Sequence, residues 1–202
     1  MRRAYVVNGV GRALEIREDG RIVPIFAVDD DALDKPLHIE IHKEHLFLGF
    51  PGGQYQHSAV GNPVTWSGLL GAEAFSVGDE ITALKSIQGG VLVVGCRNRL
   101  IVLRGTNSAD WQQDIVSESV GSQEGTLQSL FFPICLSDNG IVRLDRVQEY
   151  GDFTLSMLDP SDKVAQIVNT YQWNNSSQLA EANQYRLYSS SGINLIATLD
   201  AA

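Results

Sequence analysis

The polar residues of one predicted strand are the first candidates for chemistry in this chain. His38, Glu40 and His42 occupy alternate positions, and His45 follows within three residues. Because a strand points alternate side chains to one face, two imidazoles and a carboxylate would project together. These groups are ligands for Zn²⁺ and other divalent ions. The spacing is not that of a familiar zinc site, however, and a polar strand face needs no metal to explain it.

Two further segments contain aspartates that could form a site. Three consecutive aspartates at 29–31 could chelate Ca²⁺, although a solvated loop is the interpretation we favour. The segment Ser137, Asp138, Asn139 and Gly140 is similar to the aspartate turn of sialidase-type propellers, but no tryptophan follows at close spacing. We interpret it as a hairpin that an Asx side chain stabilises.

No other motif assembles a nucleophile with its base. Gly9-Val10-Gly11 lacks the third glycine and the helix of a dinucleotide site, and no Gly-x-Ser-x-Gly, phosphate-binding loop or paired cysteine motif occurs. Cys96 and Cys135 are predicted to be free thiols in a reducing compartment. We therefore expect a protein that is not an enzyme, with no catalytic, cofactor-binding or metal-binding residues and no cofactor.

A repeat of a little over forty residues organises the chain. Turns at 10–11, 52–53, 97–98 and 139–140 are each followed about fourteen residues later by a large aromatic residue. These residues are Phe26, Trp66, Trp111 and Phe153, so the intervals are 40, 45 and 42 residues. Short strands at such a period are typical of β-propeller blades.

The segments between the turns either alternate apolar and polar residues or are continuously apolar, and both patterns are typical of β-strands. The best-defined strands are predicted at 37–42, 46–48, 54–57, 81–87, 91–94, 100–103 and 141–144. Weaker first and fifth repeats are predicted at 5–16 and 185–196. The fold class is thus all-β, a propeller-like array of about five antiparallel meander blades, closed or partial. We expect a single domain over residues 1–202, which is either complete or a piece of a longer chain.

The repeated aromatics are predicted to seal the seams between blades. A Trp or Phe beyond each hairpin can fill the gap to the neighbouring blade with a large buried area. The alternative is a carbohydrate-stacking platform, for which Trp66 and Trp111 would lie exposed around a pocket. Because the aromatics share one repeat position, we favour the architectural role.

One short helix is expected near 161–173. Ser161 would cap it, and Val164, Ile167, Val168 and Tyr171 would form its apolar face. This face would pack on a sheet edge or serve as a contact between subunits. We also expect both ends of the array to be covered by the helix, by another chain or by a closing strand from the N-terminus.

Charge and hydropathy restrict the partners. The net charge of -9 argues against a protein that reads nucleic-acid sequence, but it does not exclude a wall past which DNA slides, because repulsion there prevents sticking. No run of about 18 apolar residues occurs, so we expect no transmembrane helix and no membrane partner.

Seven phrases resemble the propeller portion of tail nozzle and packaged-DNA-stabilisation (tail hub) proteins of short-tailed bacteriophages. They lie at 7–9, 41–48, 58–66, 77–84, 100–105, 136–144 and 150–153. The resemblance covers most of 5–200. It implies a virion tail protein, assembled in the host cytoplasm, that forms a sixfold ring of identical copies around the DNA exit channel. Implied partners are the portal or adaptor, other tail proteins, and double-stranded DNA that passes without sequence-specific binding.

Three functions follow from these observations. The first is a structural tail component that retains and guides DNA. The second is a propeller that binds or cleaves host glycans, and the third is a cellular scaffold without a viral role.

Overall fold

Five antiparallel sheets follow one another along the chain. The structure, a computed structural model, describes residues 3–88, 90–146, 153–157 and 162–199. In every sheet the strands are hydrogen-bonded in chain order, so each blade is a meander. The predicted all-β array of about five blades is confirmed.

The first and fifth blades have three strands each. Blade 1 contains β1 (Arg3–Val6), β2 (Leu14–Arg17) and β3 (Ile22–Pro24). Blades 2, 3 and 4 have four strands each. Blade 2 contains β4 (His38–His42), β5 (His45–Phe50), β6 (Gln54–His57) and β7 (Glu73–Ser76). Blade 3 contains β8 (Ile81–Ile87), β9 (Val91–Cys96), β10 (Leu100–Arg104) and β11 (Gln112–Ser117).

The remaining strands complete the array. Blade 4 contains β12 (Gln128–Ser129), β13 (Pro133–Ser137), β14 (Gly140–Arg146) and β15 (Phe153–Met157). Blade 5 contains β16 (Trp173–Leu179), β17 (Gln184–Ser189) and β18 (Asn194–Thr198). The single α-helix of the described residues, α1 (Asp162–Thr170), connects blades 4 and 5.

Apolar residues of adjacent blades form four seams, one between each pair of neighbours. Strand β9 shows how: Leu92 and Val94 face blade 2, whereas Val91 and Val93 face blade 4. This strand is apolar at successive positions because both of its faces are buried. No seam joins blade 5 to blade 1 within the described residues, so the array is a partial propeller.

The seam prediction holds for three of the four repeated aromatics. Trp66 packs in the seam of blades 1 and 2, Trp111 in the seam of blades 2 and 3, and Phe153 in the seam of blades 3 and 4. The prediction is wrong for Phe26, which is 62% exposed. Blade 1 has a neighbour on one side only, and Phe26 lies instead beneath the Arg12 guanidinium, 4.3 Å from the ring centre.

The helix is shorter than predicted and does not cover an end of the array. It ends at Thr170, and its Val168 is buried in the seam of blades 4 and 5. Ile167, predicted for the same apolar face, is 39% exposed. The predicted cap Ser161 lies outside the described residues. The N-terminal strand pairs within blade 1, so it does not close the ring either.

Candidate functional site

Three buried histidines surround Trp111 in the seam of blades 2 and 3. The rings of His42, His45 and His57 lie 5.9, 5.8 and 5.7 Å from the indole, centre to centre. Each histidine is at most 2% exposed. The tight β4–β5 turn pairs His42 with His45, and β6 adds His57 beside β5.

Hydrogen bonds fix the protonation state of His57. Its Nε2 accepts a hydrogen bond of 2.9 Å from Trp111 Nε1, so Nδ1 carries the proton and donates to Ser58 O at 2.9 Å. His45 Nδ1 donates to the same carbonyl at 2.6 Å. Both hydrogen-bonding positions of the His57 ring are therefore used by structural partners.

Burial makes His42 and His57 unsuited to acid–base work at neutral pH. Burial, with the nearby Lys43 and His45, lowers the pKa of His42 to about 4. Burial also lowers the pKa of His57 to about 4, although its hydrogen bond to Ser58 opposes the shift. Both rings are neutral near pH 7, and they stabilise the seam as aromatic surfaces.

The polar strand face considered for metal binding packs against blade 3. The prediction that His38, Glu40 and His42 share one face is confirmed, because this face lies along β8. Glu40 Oε2 lies 3.7 Å from Lys85 Nζ, and His42 Nδ1 lies 2.8 Å from Ser86 Oγ. Within the described ranges, no group of three or more His, Cys, Asp or Glu residues is arranged to hold a metal ion.

The aspartates at 29–31 belong to a loop held by Arg12. Arg12 Nε donates to Asp31 Oδ1 at 2.7 Å, and Arg12 also pairs with Asp34. Asp34 is fully buried and accepts hydrogen bonds from the backbone of Ala27 and Val28 at 3.1 and 3.3 Å. Asp34 was not predicted, although its position three residues after the acidic run was the available signal.

The turn at 137–140 is a tight β13–β14 hairpin, as predicted, but a different side chain stabilises it. Ser137 Oγ accepts a hydrogen bond from Asn139 N at 3.2 Å and donates to Gly140 O at 3.0 Å. Asp138 is exposed instead. The expectation of an Asx-stabilised turn was therefore wrong in its residue, because the serine hydroxyl provides the same local hydrogen bond.

Both cysteines are free and buried, as predicted for thiols without a partner. Cys96 lies in the seam of blades 2 and 3, and Cys135 in the seam of blades 3 and 4. Burial raises the pKa of each thiol to about 12. Neither thiol is activated as a nucleophile.

An open groove of about 680 Å³ lies where blades 3, 4 and 5 begin. The first strands of blades 2 to 5 run beside one another, so this groove is at one mouth of the space they enclose. Its lining is largely polar, with the amides Gln172 and Asn174, and its charged residues are Glu80, Glu124, Asp138 and Arg97. Such a surface repels phosphate groups and offers amide groups for hydrogen bonding.

A smaller groove lies at the outer edge between blades 1 and 2. Phe26, Gln56 and Trp66 line it, together with Asp29. Trp66 Nε1 donates to Pro63 O at 3.0 Å within its own loop. The two predicted platform residues are thus separated: Trp66 reaches this groove, whereas Trp111 lies among the histidines of the next seam.

Comparisons with known proteins show similarity in fold. No protein-family model and no curated protein matches the chain. It is similar to the β-propeller domain of Cps50 (Swd1) from Myceliophteria thermophila, with a TM-score of 0.65 and 10% identity over 98% of this chain and 67% of that chain. Virginiamycin B lyase from Staphylococcus aureus matches with a TM-score of 0.57 and 10% identity over 98% of this chain and 70% of its own.

A third similar structure is YCF48 bound to D1 peptide. Its TM-score is 0.60, with 14% identity over 99% of this chain and 62% of that chain. This chain therefore spans about two thirds of the length of these three structures. No helix in the described ranges is long and apolar enough to cross a membrane. The chain has a β-propeller fold, of which it forms five successive blades.

Proposed function

We propose that this chain is a structural subunit of a phage tail nozzle, a stiff wall element that retains and guides DNA. The observation that carries the proposal is that its large aromatic and buried titratable side chains pack in the seams between blades. Trp66, Trp111 and Phe153 seal seams, and burial keeps both thiols, His42 and His57 in their neutral forms. The resemblance of the seven sequence phrases supplies the assignment to the tail.

Charge supports the role in guiding DNA. The chain carries a net charge of -9, and Glu80, Glu124 and Asp138 outnumber Arg97 among the charged residues that line the groove at the mouth of the blades. A wall past which DNA slides must not hold phosphates, since each neutralised phosphate strengthens binding. An acidic surface repels the phosphates and so prevents the duplex from binding as it passes.

The proposal is tested by locating the protein and by measuring DNA binding. Antibody labelling of purified virions should place the chain at the tail, and the neighbouring genes should encode portal and tail proteins. The wild-type protein should not retain duplex DNA in gel-shift experiments. A Glu80→Lys, Glu124→Lys, Asp138→Lys variant should retain it at low salt and release it as salt rises. Absence from the virion, or tight duplex binding by the wild type, would contradict the proposal.

A glycan-binding propeller is the second candidate, and one observation favours it. The groove beside Phe26 and Trp66 exposes two aromatic rings next to the polar groups of Gln56 and Asp29. Titration with oligosaccharides, monitored by tryptophan fluorescence, tests this candidate. Saturable quenching that Trp66→Ala removes and Trp111→Phe retains would favour it over the tail role.

A further inference from the structure

Blade 1 lacks the strand that each other blade places nearest the centre of the array. In blades 2 to 5 this strand is the first of the blade, and β4, β8, β12 and β16 run beside one another in that order. We call these four the inner strands. Within the described residues, blade 1 contributes no strand to this inner row.

The repeated turns show which strand blade 1 lacks. The turn at 52–53 joins β5 to β6, the second and third strands of blade 2. Its counterpart at 10–11 joins β1 to β2, so these two strands correspond to β5 and β6. Ile25 directly follows β3 and is buried in a seam, just as Val77 directly follows β7 and is buried in the next seam. Blade 1 therefore has counterparts of β5, β6 and β7 but none of the inner strand β4.

The burial of β1 agrees with this missing strand. Tyr5 points into the seam with blade 2 but is only half-buried. Tyr185 and Leu187, on the second strand of the other terminal blade, are at most 1% exposed in their seam. Blade 5 also has a neighbour on one side only, so its inner strand β16 accounts for the difference. Within the described residues, β1 pairs with β2 alone, and the backbone groups of its other edge are open to pairing.

The side chains of β4 that face blade 1 are uncovered at the same place. Ile41 pairs with Leu46 of β5, and Ser86 pairs with Leu92 of β9, so Ile41 and Ser86 hold equivalent positions in their blades. Ser86 Oγ lies 2.8 Å from Nδ1 of His42, on the inner strand of the preceding blade. Ile41 has no inner strand of blade 1 beside it and is 56% exposed.

The open edge of β1 and the exposed side chains of β4 form one site, which we call the strand site. The edge runs along Arg3–Val6. An apolar wall beside it is provided by Ile41 and by Leu37, which is 40% exposed and lies against Gly9 of blade 1. In the other four blades, a single extended strand occupies the corresponding position, antiparallel to the second strand. The repeat itself thus indicates that the strand site takes one extended segment.

Strand alternation determines which side chains such a segment needs. Every second side chain would meet Leu37, Ile39 and Ile41, so these side chains must be apolar. The intervening side chains would point away from blade 2, to the side on which the described residues contain no blade, so polar residues suit them. Between blades 2 and 3 the equivalent contact is polar, through His42 and Ser86. The strand site therefore selects a segment with a different pattern from β4.

A different polypeptide is the source that fits this site. Within the described residues, each strand of this chain already pairs in its own blade, so a second copy has no free strand to donate. The sheet edges of a second copy belong to whole blades, whereas one strand fills this position in the other blades. We propose that an extended segment of another protein, with apolar side chains at alternate positions, adds antiparallel to β1 and completes blade 1. Main-chain hydrogen bonds give affinity at such an edge, and contacts to alternate side chains give specificity.

Fluorescence anisotropy of a labelled synthetic peptide tests the strand site on the full chain. The probe is a short peptide in which valine and threonine alternate. It should bind saturably, whereas the same peptide methylated at its backbone nitrogens should not bind, because it cannot donate hydrogen bonds to the edge of β1. This control leaves the protein unchanged, so its result does not depend on the folding of a variant.

Ile41→Lys is the disrupting variant. A lysine in the apolar wall should raise the dissociation constant of the peptide by about 10-fold or more. Leu69→Lys is the matched control, because Leu69 is 98% exposed in the connection between β6 and β7, and it should bind the peptide as the wild type does. Both variants should keep the circular dichroism spectrum of the wild type.

Hydrogen exchange locates the bound peptide. Binding should slow the exchange of the β1 amides and leave those of β18 unchanged, although β18 is the edge strand of the other terminal blade. Slowed exchange at β18 alone would show pairing with any free edge and would overturn the proposal. The lack of saturable binding at about 1 mM peptide, or wild-type affinity in Ile41→Lys, would overturn it as well.

Other occupants of the strand site have distinct signatures. A wild-type dimer that Ile41→Lys dissociates would assign the site to a second copy. A monomer whose β1 amides are already protected without peptide, and lose that protection in Ile41→Lys, would assign it to the chain itself. Either result would overturn the proposal. The strand site does not depend on the proposed function: absence of the protein from virions, with peptide binding at β1 intact, would remove the tail role and support the site.

Discussion

The indole of Trp111 donates a hydrogen bond of 2.9 Å to Nε2 of His57 across the seam between blades 3 and 2. One bond therefore fixes the tautomer of a buried imidazole and also ties two blades together. Trp66 offers a natural comparison, because its indole donates to Pro63 O within its own loop.

Replacing Trp111 by Phe should destabilise the chain by on the order of 1–3 kcal/mol, because the buried His57 acceptor loses its donor. Trp66→Phe should cost less, since Pro63 O lies near solvent at the edge of the array. Urea unfolding followed by circular dichroism measures both. Equal losses for the two variants would show that the inter-blade bond has no special role.

Acidification should weaken the fold through the same seam. The pKa of His42 and of His57 is about 4 in the folded chain, below the ordinary 6.5. The unfolded chain therefore binds more protons below pH 6.5, so stability falls as pH drops from 6.5 towards 4. At pH 5 each histidine should cost on the order of 2 kcal/mol.

Unfolding free energies measured between pH 7.5 and 4.5 check this expectation. A His42→Gln variant should be less stable at pH 7.5 but should lose less stability on acidification than the wild type. Parallel pH curves for the two proteins would assign the acid sensitivity to carboxylates instead.

Gly121 should tolerate no side chain. A Cβ atom there would lie 2.0 Å from Arg97 O and 2.5 Å from Cys96 O, and backbone atoms cannot rotate away. Gly121→Ala should cost more than about 3 kcal/mol or prevent folding. Gly11→Ala is the control, since no neighbouring atom lies within 4 Å of its Cβ position and it should be nearly neutral. Expression yield and thermal unfolding distinguish the two variants.

Both native thiols should be unreactive. Cys96 and Cys135 are buried, and the pKa of each is raised to about 12, so neither is a thiolate at pH 7.5. An aromatic disulfide reagent should modify no cysteine in the folded chain and two in denaturant. Fast modification of one thiol in native buffer would reveal that its seam opens.

Strands with strong patterns could be predicted from the sequence, and the polar strands β11 and β16 could not. Strands β8 and β9 were predicted almost to the residue because their apolar positions are buried. Strand β11 reads Gln-Gln-Asp-Ile-Val-Ser and is mostly exposed, and β16 is rich in asparagine and serine. These segments are strands because their backbones pair with a neighbouring strand and not because their side chains are buried. Such pairing leaves no pattern in the hydropathy of the sequence.

The histidine cluster illustrates the same limit. His38, Glu40 and His42 were correctly placed on one strand face, but the contribution of His57 depends on pairing between β5 and β6 and on an indole 54 residues away. Trp173, which completes the last seam, was missed because the connection containing α1 interrupts the repeat. The spacing placed Trp111 in a seam, but its partner His57 there depends on how the strands pair.

The meander order of every sheet has a consequence for biogenesis. Each strand pairs only with strands that are next to it in the chain. Forming a blade therefore costs little loop-closure entropy and requires no distant segment. Blades can therefore form one after another as the polypeptide leaves the ribosome, each docking on the one before. Blade 1 is synthesised first, so Ala13 and Ile25 on its seam side stay uncovered until strand β5 of blade 2 has been made.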